Sequence, residues 1–277
     1  MDLKEFIIAS LKEDVGSGDH TSLATIPNDK IGKARLLVKE QGIAAGIEVA
    51  LAIFKEVDEK LKVELKGKDG DKISPGDELF YVEGPIQSIL KAERLVLNCM
   101  QRMSGIATTT HKYVQAIEGC NSKILDTRKT TPLLRSLEKQ AVKIGGGYNH
   151  RFGLFDMILI KDNHVDSAGG ITQALESAKK YITEKGIRIP IEIETRSTEE
   201  IKEALSSGIP DRIMFDNFSP EQVKEAVKLV NKKCETEASG GITIVNIREY
   251  ALAGVDYISV GALTHSVKSL DLSLKII

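Results

Sequence analysis

Six basic residues stand out by where they fall. Arg128, Lys129, His150, Arg151 and Lys161 each follow a short apolar run or a glycine loop, and Arg102 is set into an apolar stripe. The whole chain has 38 Lys plus Arg against 40 Asp plus Glu, a net charge of -2, so any positive surplus is local. A local surplus of this kind holds an anion. Arg suits bidentate contacts to carboxylate or phosphate, and Lys acts as a mobile point charge. One such residue alone reads as a solvated surface charge. The set together points to a polyanion site.

Carboxylates form the second group. Glu192 and Glu194 alternate with Ile191 and Ile193, so a strand here carries both carboxylates on one face. Glu237 can face the same way from a later strand. Buried carboxylates are costly unless a cation or metal accompanies them. They could be internal Lys–Glu pairs that hold the strands together. Alternatively, Glu194 and Asp216 bind sugar hydroxyls or Mg²⁺, which takes hard oxygen ligands and keeps several waters. Glycines form the third group. Ser239-Gly240-Gly241 precedes a helix expected to start near Thr243, and Gly261-Ala262 closes the last apolar run. Glycine lets backbone N–H groups approach a phosphate, and barrel phosphate sites often use the loops after the last two strands. Gly145-Gly-Gly147 leads into Tyr148-Asn-His150-Arg151, a flexible loop that delivers a His and an Arg. It lacks dinucleotide-fingerprint spacing, and no P-loop signature occurs. His150 could serve as an acid or base by its ordinary pKa. His111 and His164 lie far from it in sequence, which gives a histidine metal site little support.

These residues need elements to carry them. Apolar spacing predicts a helix over 3–12, then a turn at Gly16 and Gly18. A strand over 33–39, a helix over 50–57, a strand over 63–65, a turn over 74–77 and an extended run over 79–82 follow, with Gly84-Pro85 as its stop. A long helix is expected over 91–118, its apolar stripe at Leu95, Cys99 and Ile106. Arg102 shares that stripe and needs a partner. Either it makes a structural ion pair, or it contributes an anion site at a subunit contact. From residue 123 the pattern changes. Apolar runs at 123–125, 157–160, 189–193, 212–215, 234–238 and 257–260 each end in a polar cluster. Helices are expected between them over 172–183, 198–206, 220–232 and 243–253. Alternating strands and helices imply parallel βα units, and six strands suggest a barrel with its chemistry at the C-terminal strand ends.

Composition narrows the function classes. The chain has 277 residues, 42% hydrophobic and 28% charged, as in a globular enzyme of one or two domains. No apolar run approaches the roughly 20 residues of a membrane span. The opening Met-Asp-Leu-Lys-Glu does not have the layout of a signal peptide, and a cytoplasmic location is expected. The balanced charge and the absence of Trp disfavour nucleic acid. Three cysteines with no CxxC disfavour a disulfide framework or a zinc site.

Several long motifs resemble the quinolinate phosphoribosyltransferase family, also called nicotinate-nucleotide pyrophosphorylase (carboxylating), of the type II phosphoribosyltransferases. They are Glu13-Asp-Val-Gly-Ser-Gly-Asp19, Gln101-Arg-Met-Ser-Gly-Ile-Ala107, Thr127-Arg-Lys-Thr-Thr-Pro132, Leu137-Glu-Lys, Gly145-Gly-Gly-Tyr-Asn-His-Arg151, Leu159-Ile-Lys-Asp-Asn-His164, Glu237-Ala-Ser-Gly-Gly-Ile242 and Asp256-Tyr-Ile-Ser-Val-Gly-Ala-Leu263. The resemblance covers nearly the whole chain. Two departures are visible: Leu133 where many members carry Gly, and one extra residue in the turn at Gly208-Ile-Pro-Asp211.

The resemblance implies an N-terminal α/β sandwich over 1–106 and an incomplete, open α/β barrel of TIM type over 107–266. The tail, 267–277, would return to the sandwich. It implies transfer of a phosphoribosyl group from phosphoribosyl pyrophosphate to quinolinate with loss of CO₂, in the presence of Mg²⁺. Arg128, Lys129, His150 and Arg151, with Thr127 beside them, would bind the dicarboxylate, and Arg102 would join from a neighbouring subunit of a homodimer. A trimer of dimers is a further assembly open to it. Lys161, Glu194 and Asp216 would contact ribose, pyrophosphate and Mg²⁺, the last through Glu194 and Asp216. Ser239, Gly240, Gly241, Gly261 and Ala262 would cradle the 5′-phosphate. Three rivals stay open: a Schiff-base aldolase acting through Lys161, the related proteins associated with molybdenum transport, and a non-catalytic metabolite binder.

Overall fold

The computed structural model describes residues 2–277; Met1, which begins the opening segment read above, lies outside them. Along the chain run α1 (Leu3–Val15), α2 (His20–Thr25), β1 (Ile31–Val38), β2 (Gly42–Ile43), α3 (Ile47–Val57), β3 (Lys62–Leu65), β4 (Lys72–Ile73), β5 (Glu78–Pro85) and α4 (Ile86–Ala116). Then follow β6 (Lys123–Leu125), α5 (Arg135–Ile144), β7 (Ile158–Ile160), α6 (Asp162–Ala168), α7 (Ile171–Lys185), β8 (Ile191–Thr195), α8 (Thr198–Ser207) and β9 (Arg212–Asp216). The last are α9 (Pro220–Val230), β10 (Glu235–Ser239), α10 (Ile247–Leu252), β11 (Tyr257–Ser259), α11 (Ala262–His265) and β12 (Leu272–Ile276).

The chain divides into two compact units. One comprises Met1–His111, Thr130–Gly146 and Thr264–Ile277. Its sheet has the order β12-β1-β5-β3, with antiparallel neighbours. The tail does return: Leu272 to Ile276 pair with Val38 to Ala34. Strand β5 runs on through Pro85 rather than stopping before Gly84. A proline at the last strand position removes no essential ladder bond. The core joins Leu36, Phe54, Phe80, Ile89 and Met100, all fully buried. Helix α1 starts on a reciprocal cap, Asp2 accepting from the Glu5 N–H and Glu5 from the Asp2 N–H.

The other unit comprises Lys112–Lys129 and Gly147–Leu263. Its six strands are all parallel, in the order β6-β11-β10-β9-β8-β7. Tyr148 makes a one-residue parallel bridge to Leu125, extending the β6 edge. The edges at β6 and β7 do not pair with each other among the described residues, so the barrel is open. Every residue of β8 is buried, as a parallel strand covered on both faces requires. Two boundaries differ from expectation. The long helix begins at Ile86, and the helix expected from near Thr243 begins only at Ile247. Residues 243–246 form a turn instead, in which Asn246 Oδ1 accepts the Thr243 N–H at 2.7 Å. A polar side chain that closes a turn on its own backbone competes with helix.

Leu133 has φ 65° and is 76% exposed. The conformation explains why glycine suits this position: a left-handed residue costs an L side chain about 1–2 kcal/mol. Glycine's looser unfolded chain takes part of that back. Leu133→Gly is therefore expected to raise stability by about 0.5–1 kcal/mol, seen as a higher midpoint in urea with an unchanged slope.

Candidate active site

Period two along the barrel strands stacks inward side chains in layers. Glu192 on β8 registers with Arg212 on β9, and Glu194 with Met214. Glu237 on β10 registers with Met214, and Ser239 with Asp216. The deeper layer is a closed cluster. Glu192 and Glu237 are both 0% exposed. Arg212 Nη1 lies 3.0 Å from Glu237 Oε2 and 4.0 Å from Glu192 Oε2, while Nη2 donates to Glu235 at 2.9 Å. The Tyr257 ring packs 4.0 Å from the same guanidinium. His150 Nε2 sits 3.0 Å from Glu192 and 3.5 Å from Glu237.

The ligating atoms of His150, Glu192 and Glu237 lie within 4.8 Å of one another, close enough to share a metal. Arg212 already brings a cation to this layer, so its charge balance needs none. Burial works against a charged His150, but hydrogen bonds to Glu192 and Glu237 outweigh it and lift the imidazole to about 9. Burial, with the charge of Glu237, pushes Glu192 up to about 7. The Arg151 N–H donates to His150 Nδ1 at 2.7 Å, which favours the neutral ring. We assign the retained proton to the Glu192–His150 pair as a unit.

Nearer the strand ends the charge turns positive. Asp126, fully buried after β6, accepts the His150 N–H at 2.9 Å and the Asn149 side chain at 2.6 Å. These bonds order a loop without regular structure. Arg151 follows, its Nη1 donating to the Met157 carbonyl at 3.3 Å. Burial and the charge of neighbouring Arg128 lower its pKa. Two guanidiniums that repel each other are a site for an anion. Thr127 Oγ1 accepts the Lys129 N–H at 3.0 Å, turning the chain after Arg128. Lys161 ends β7 and its ammonium donates to Glu194 Oε1. His164 Nδ1 accepts the Lys161 N–H at 2.9 Å, so this histidine serves the start of α6.

The glycine turn sits beside Asp216. Gly240 has φ 93° and Gly241 φ 61°. A Cβ on Gly241 would meet open space, while one on Gly240 would run into Asn217. Gly241 thus leaves room for a ligand, whereas Gly240 has a reason of its own for lacking a side chain. Gly261 and Ala262 lie between β11 and the one-turn helix α11, both half-buried.

Arg102 takes the structural alternative. Its Nη2 and Nε bond Glu138 Oε1 at 2.8 and 3.1 Å, and its guanidinium also reaches the Thr264 and Val267 carbonyls. Glu138 is fully buried and needs that charge. A cavity of about 290 Å³ opens beside it, lined also by Glu13, Asp14, Arg94 and Asn98. Sequence reading missed Arg94, although its spacing of four to Asn98 and eight to Arg102 puts it on the same face of α4. It also missed Arg212 and Asn217. Extending the period-two reading to β9 marks Arg212 as facing inward with Asp216.

Comparison with known proteins now adds the family. Residues 19–104 match the model of the quinolinate phosphoribosyl transferase N-terminal domain, and residues 106–275 that of its C-terminal domain. The chain belongs to the quinolinate phosphoribosyltransferase family. It is 49% identical over 290 residues to the mitochondrial quinolinate phosphoribosyltransferase (decarboxylating) 2 of Nicotiana glauca, covering 99% of this chain and 82% of that one. It is 45% identical over 276 residues to a probable nicotinate-nucleotide pyrophosphorylase (carboxylating) of Bacillus subtilis, covering 100% and 94%. The crystal structure of NadC from Streptococcus pyogenes superposes with TM-score 0.94 at 39% identity, covering 99% and 96%.

In this quinolinate phosphoribosyltransferase chain the deeper layer ties stability to pH. The folded Glu192–His150 pair keeps protons up to about 7 and about 9. The unfolded chain releases them near pH 4.3 and 6.5, roughly the values of the free residues. The native state therefore binds more protons between these limits. The pair's contribution is fully present at low pH and is lost as pH rises through about 9. Urea unfolding at pH 6 and pH 9.5 should show lower stability at the higher pH, and His150→Asn should flatten that difference.

Proposed function

We infer that this chain transfers a phosphoribosyl group from phosphoribosyl pyrophosphate to quinolinate, releasing pyrophosphate and CO₂ and leaving nicotinate mononucleotide. The family membership of both domains carries the activity. The observation in the site that carries the substrate is the repelling Arg128–Arg151 pair, which a dicarboxylate neutralises. Arg forks match carboxylates bidentately, and Lys129 adds charge beside them. His150 holds the Arg151 amide from below.

The quinolinate ring nitrogen attacks the anomeric carbon as the bond to pyrophosphate breaks, and positive charge develops on the ribose. Lys161 stabilises the departing negative charge, while Glu194 and Asp216 steady the ribose. Positioning and electrostatics supply the acceleration, with no side-chain nucleophile. The new pyridinium nitrogen then draws electrons from the adjacent carbon; that carbon loses CO₂ and takes up a proton. Glu194 and Asp216 end neighbouring strands with hard oxygen donors, which fits Mg²⁺. When bound, that ion supplies charge to neutralise pyrophosphate oxygens. Ser239, Gly240, Gly241, Gly261 and Ala262 form the two turns suited to the 5′-phosphate.

A homodimer is part of this proposal. Tyr148, Phe152, Leu154 and Phe155 are 42–72% exposed in one short segment, a patch suited to a subunit contact. A Schiff-base lysine must be desolvated and uncharged. Lys161 is instead 46% exposed and ion-paired, which disfavours the aldolase reading.

Two outcomes test the reading. A site built for two carboxylates leaves buried cations unpaired when one is missing, and such sites discriminate by roughly 10⁴ or more. Quinolinate should therefore be consumed with phosphoribosyl pyrophosphate, and nicotinate should be a poor substrate; comparable turnover of nicotinate overturns the dicarboxylate assignment. Lys161→Ala should lower kcat by roughly 10²-fold or more while the thermal midpoint stays near wild type. Wild-type turnover in the folded variant would remove Lys161 from the chemistry.

A further inference from the structure

Asn217 is an exposed residue with no role in the mechanism above, yet it is held in an unusual way. It follows β9 directly and has φ 58°, a left-handed conformation that Asn tolerates better than most side chains. Its backbone N–H donates to the Ser239 carbonyl at 2.9 Å, which locks it to the end of β10. Its side-chain Nδ2 donates to Asp216 Oδ2 at 2.8 Å. The rest of the carboxamide lies over Gly240: an added Cβ there would come within 2.7 Å of Asn217 Cγ and 2.9 Å of its backbone nitrogen, and closer still to Oδ1. The left-handed turn, the missing side chain at Gly240 and the hydrogen bond to Asp216 thus have one thing in common, the placement of this carboxamide.

We propose that Asn217 is a positioning residue that links the Asp216 carboxylate to the Ser239-Gly-Gly241 turn, so that the ribose and phosphate ends of one phosphoribosyl group meet groups held in fixed register. The inference rests on the assignment of Asp216 and the glycine turn to that substrate. An amide donor on one carboxylate oxygen restricts rotation of Asp216 and directs its other oxygen. The same amide fills the space above Gly240 and keeps the turn from closing on Asp216.

The test uses Asn217→Ala and Asn217→Gly in the full-length enzyme. The glycine variant carries no left-handed penalty, so it separates loss of the amide from loss of folding. Both variants should raise KM for phosphoribosyl pyrophosphate about tenfold, the scale of one hydrogen bond to a charged group. KM for quinolinate should stay within about twofold, and the Kd of nicotinate mononucleotide, measured by calorimetry without added metal, should weaken by a similar factor to the first. In an Asp216→Asn background, removing Asn217 should add less than about twofold, because it acts through Asp216. Unchanged KM for phosphoribosyl pyrophosphate, equal losses for both substrates, or full additivity with Asp216→Asn each overturn the proposal. Asp216→Asn alone tells the two levels apart. If it is itself harmless, the assignment of Asp216 fails; if it is damaging and the Asn217 variants are not, only the positioning role fails.

Discussion

Two carboxylates with no exposure to solvent, Glu192 and Glu237, set the terms for the barrel unit. Neither can stay charged there without a partner, since the desolvation penalty of an unpaired buried ion amounts to several kcal/mol. Arg212 answers one and approaches the other, His150 answers both, and a retained proton completes the balance. Each partner comes from a different place in the chain. Arg212 opens β9, Glu237 lies mid-way along β10, and His150 comes from the loop after the triple glycine. The cluster therefore fixes strand register and pins a loop that has no ladder of its own.

The pinned loop is the one that carries Arg151. Its guanidinium lies near Arg128, a repulsion the empty site has to tolerate. The charges of Glu192, Asp156 and Glu194 offset it in part. An anionic layer beneath a cationic mouth is a workable arrangement because charges interact strongly through a low-dielectric interior. The mouth stays attractive to an anion while the protein beneath it remains close to neutral.

The first unit solves a similar problem with Glu138. It too is fully buried, and Arg102 reaches it from the apolar stripe of α4. Thr131 adds a backbone N–H to the other carboxylate oxygen at 3.2 Å. In both units the buried carboxylate is the group that limits where its neighbours can stand.

The order of apolar runs and polar clusters by itself determined the parallel βα character of residues 123–260, because burying a strand on both faces requires a continuous apolar run. It also marked the strand ends where charge collects, since that is where such runs stop. Period two marked Glu192 and Glu194 as facing the same way. Only the tertiary structure decided which charge meets which. Arg102 had two readings until Glu138, 36 residues on, was brought beside it. His150 read as a ligand-facing base until Glu192 and Glu237 closed around it. Arg212 and Asn217 gave no local signal of their roles, and Gly240 read as a phosphate glycine although its missing side chain also makes room for Asn217. Spacing along a strand fixes direction, but the partner of a buried charge is set by register and loop closure between distant segments, which no local pattern encodes.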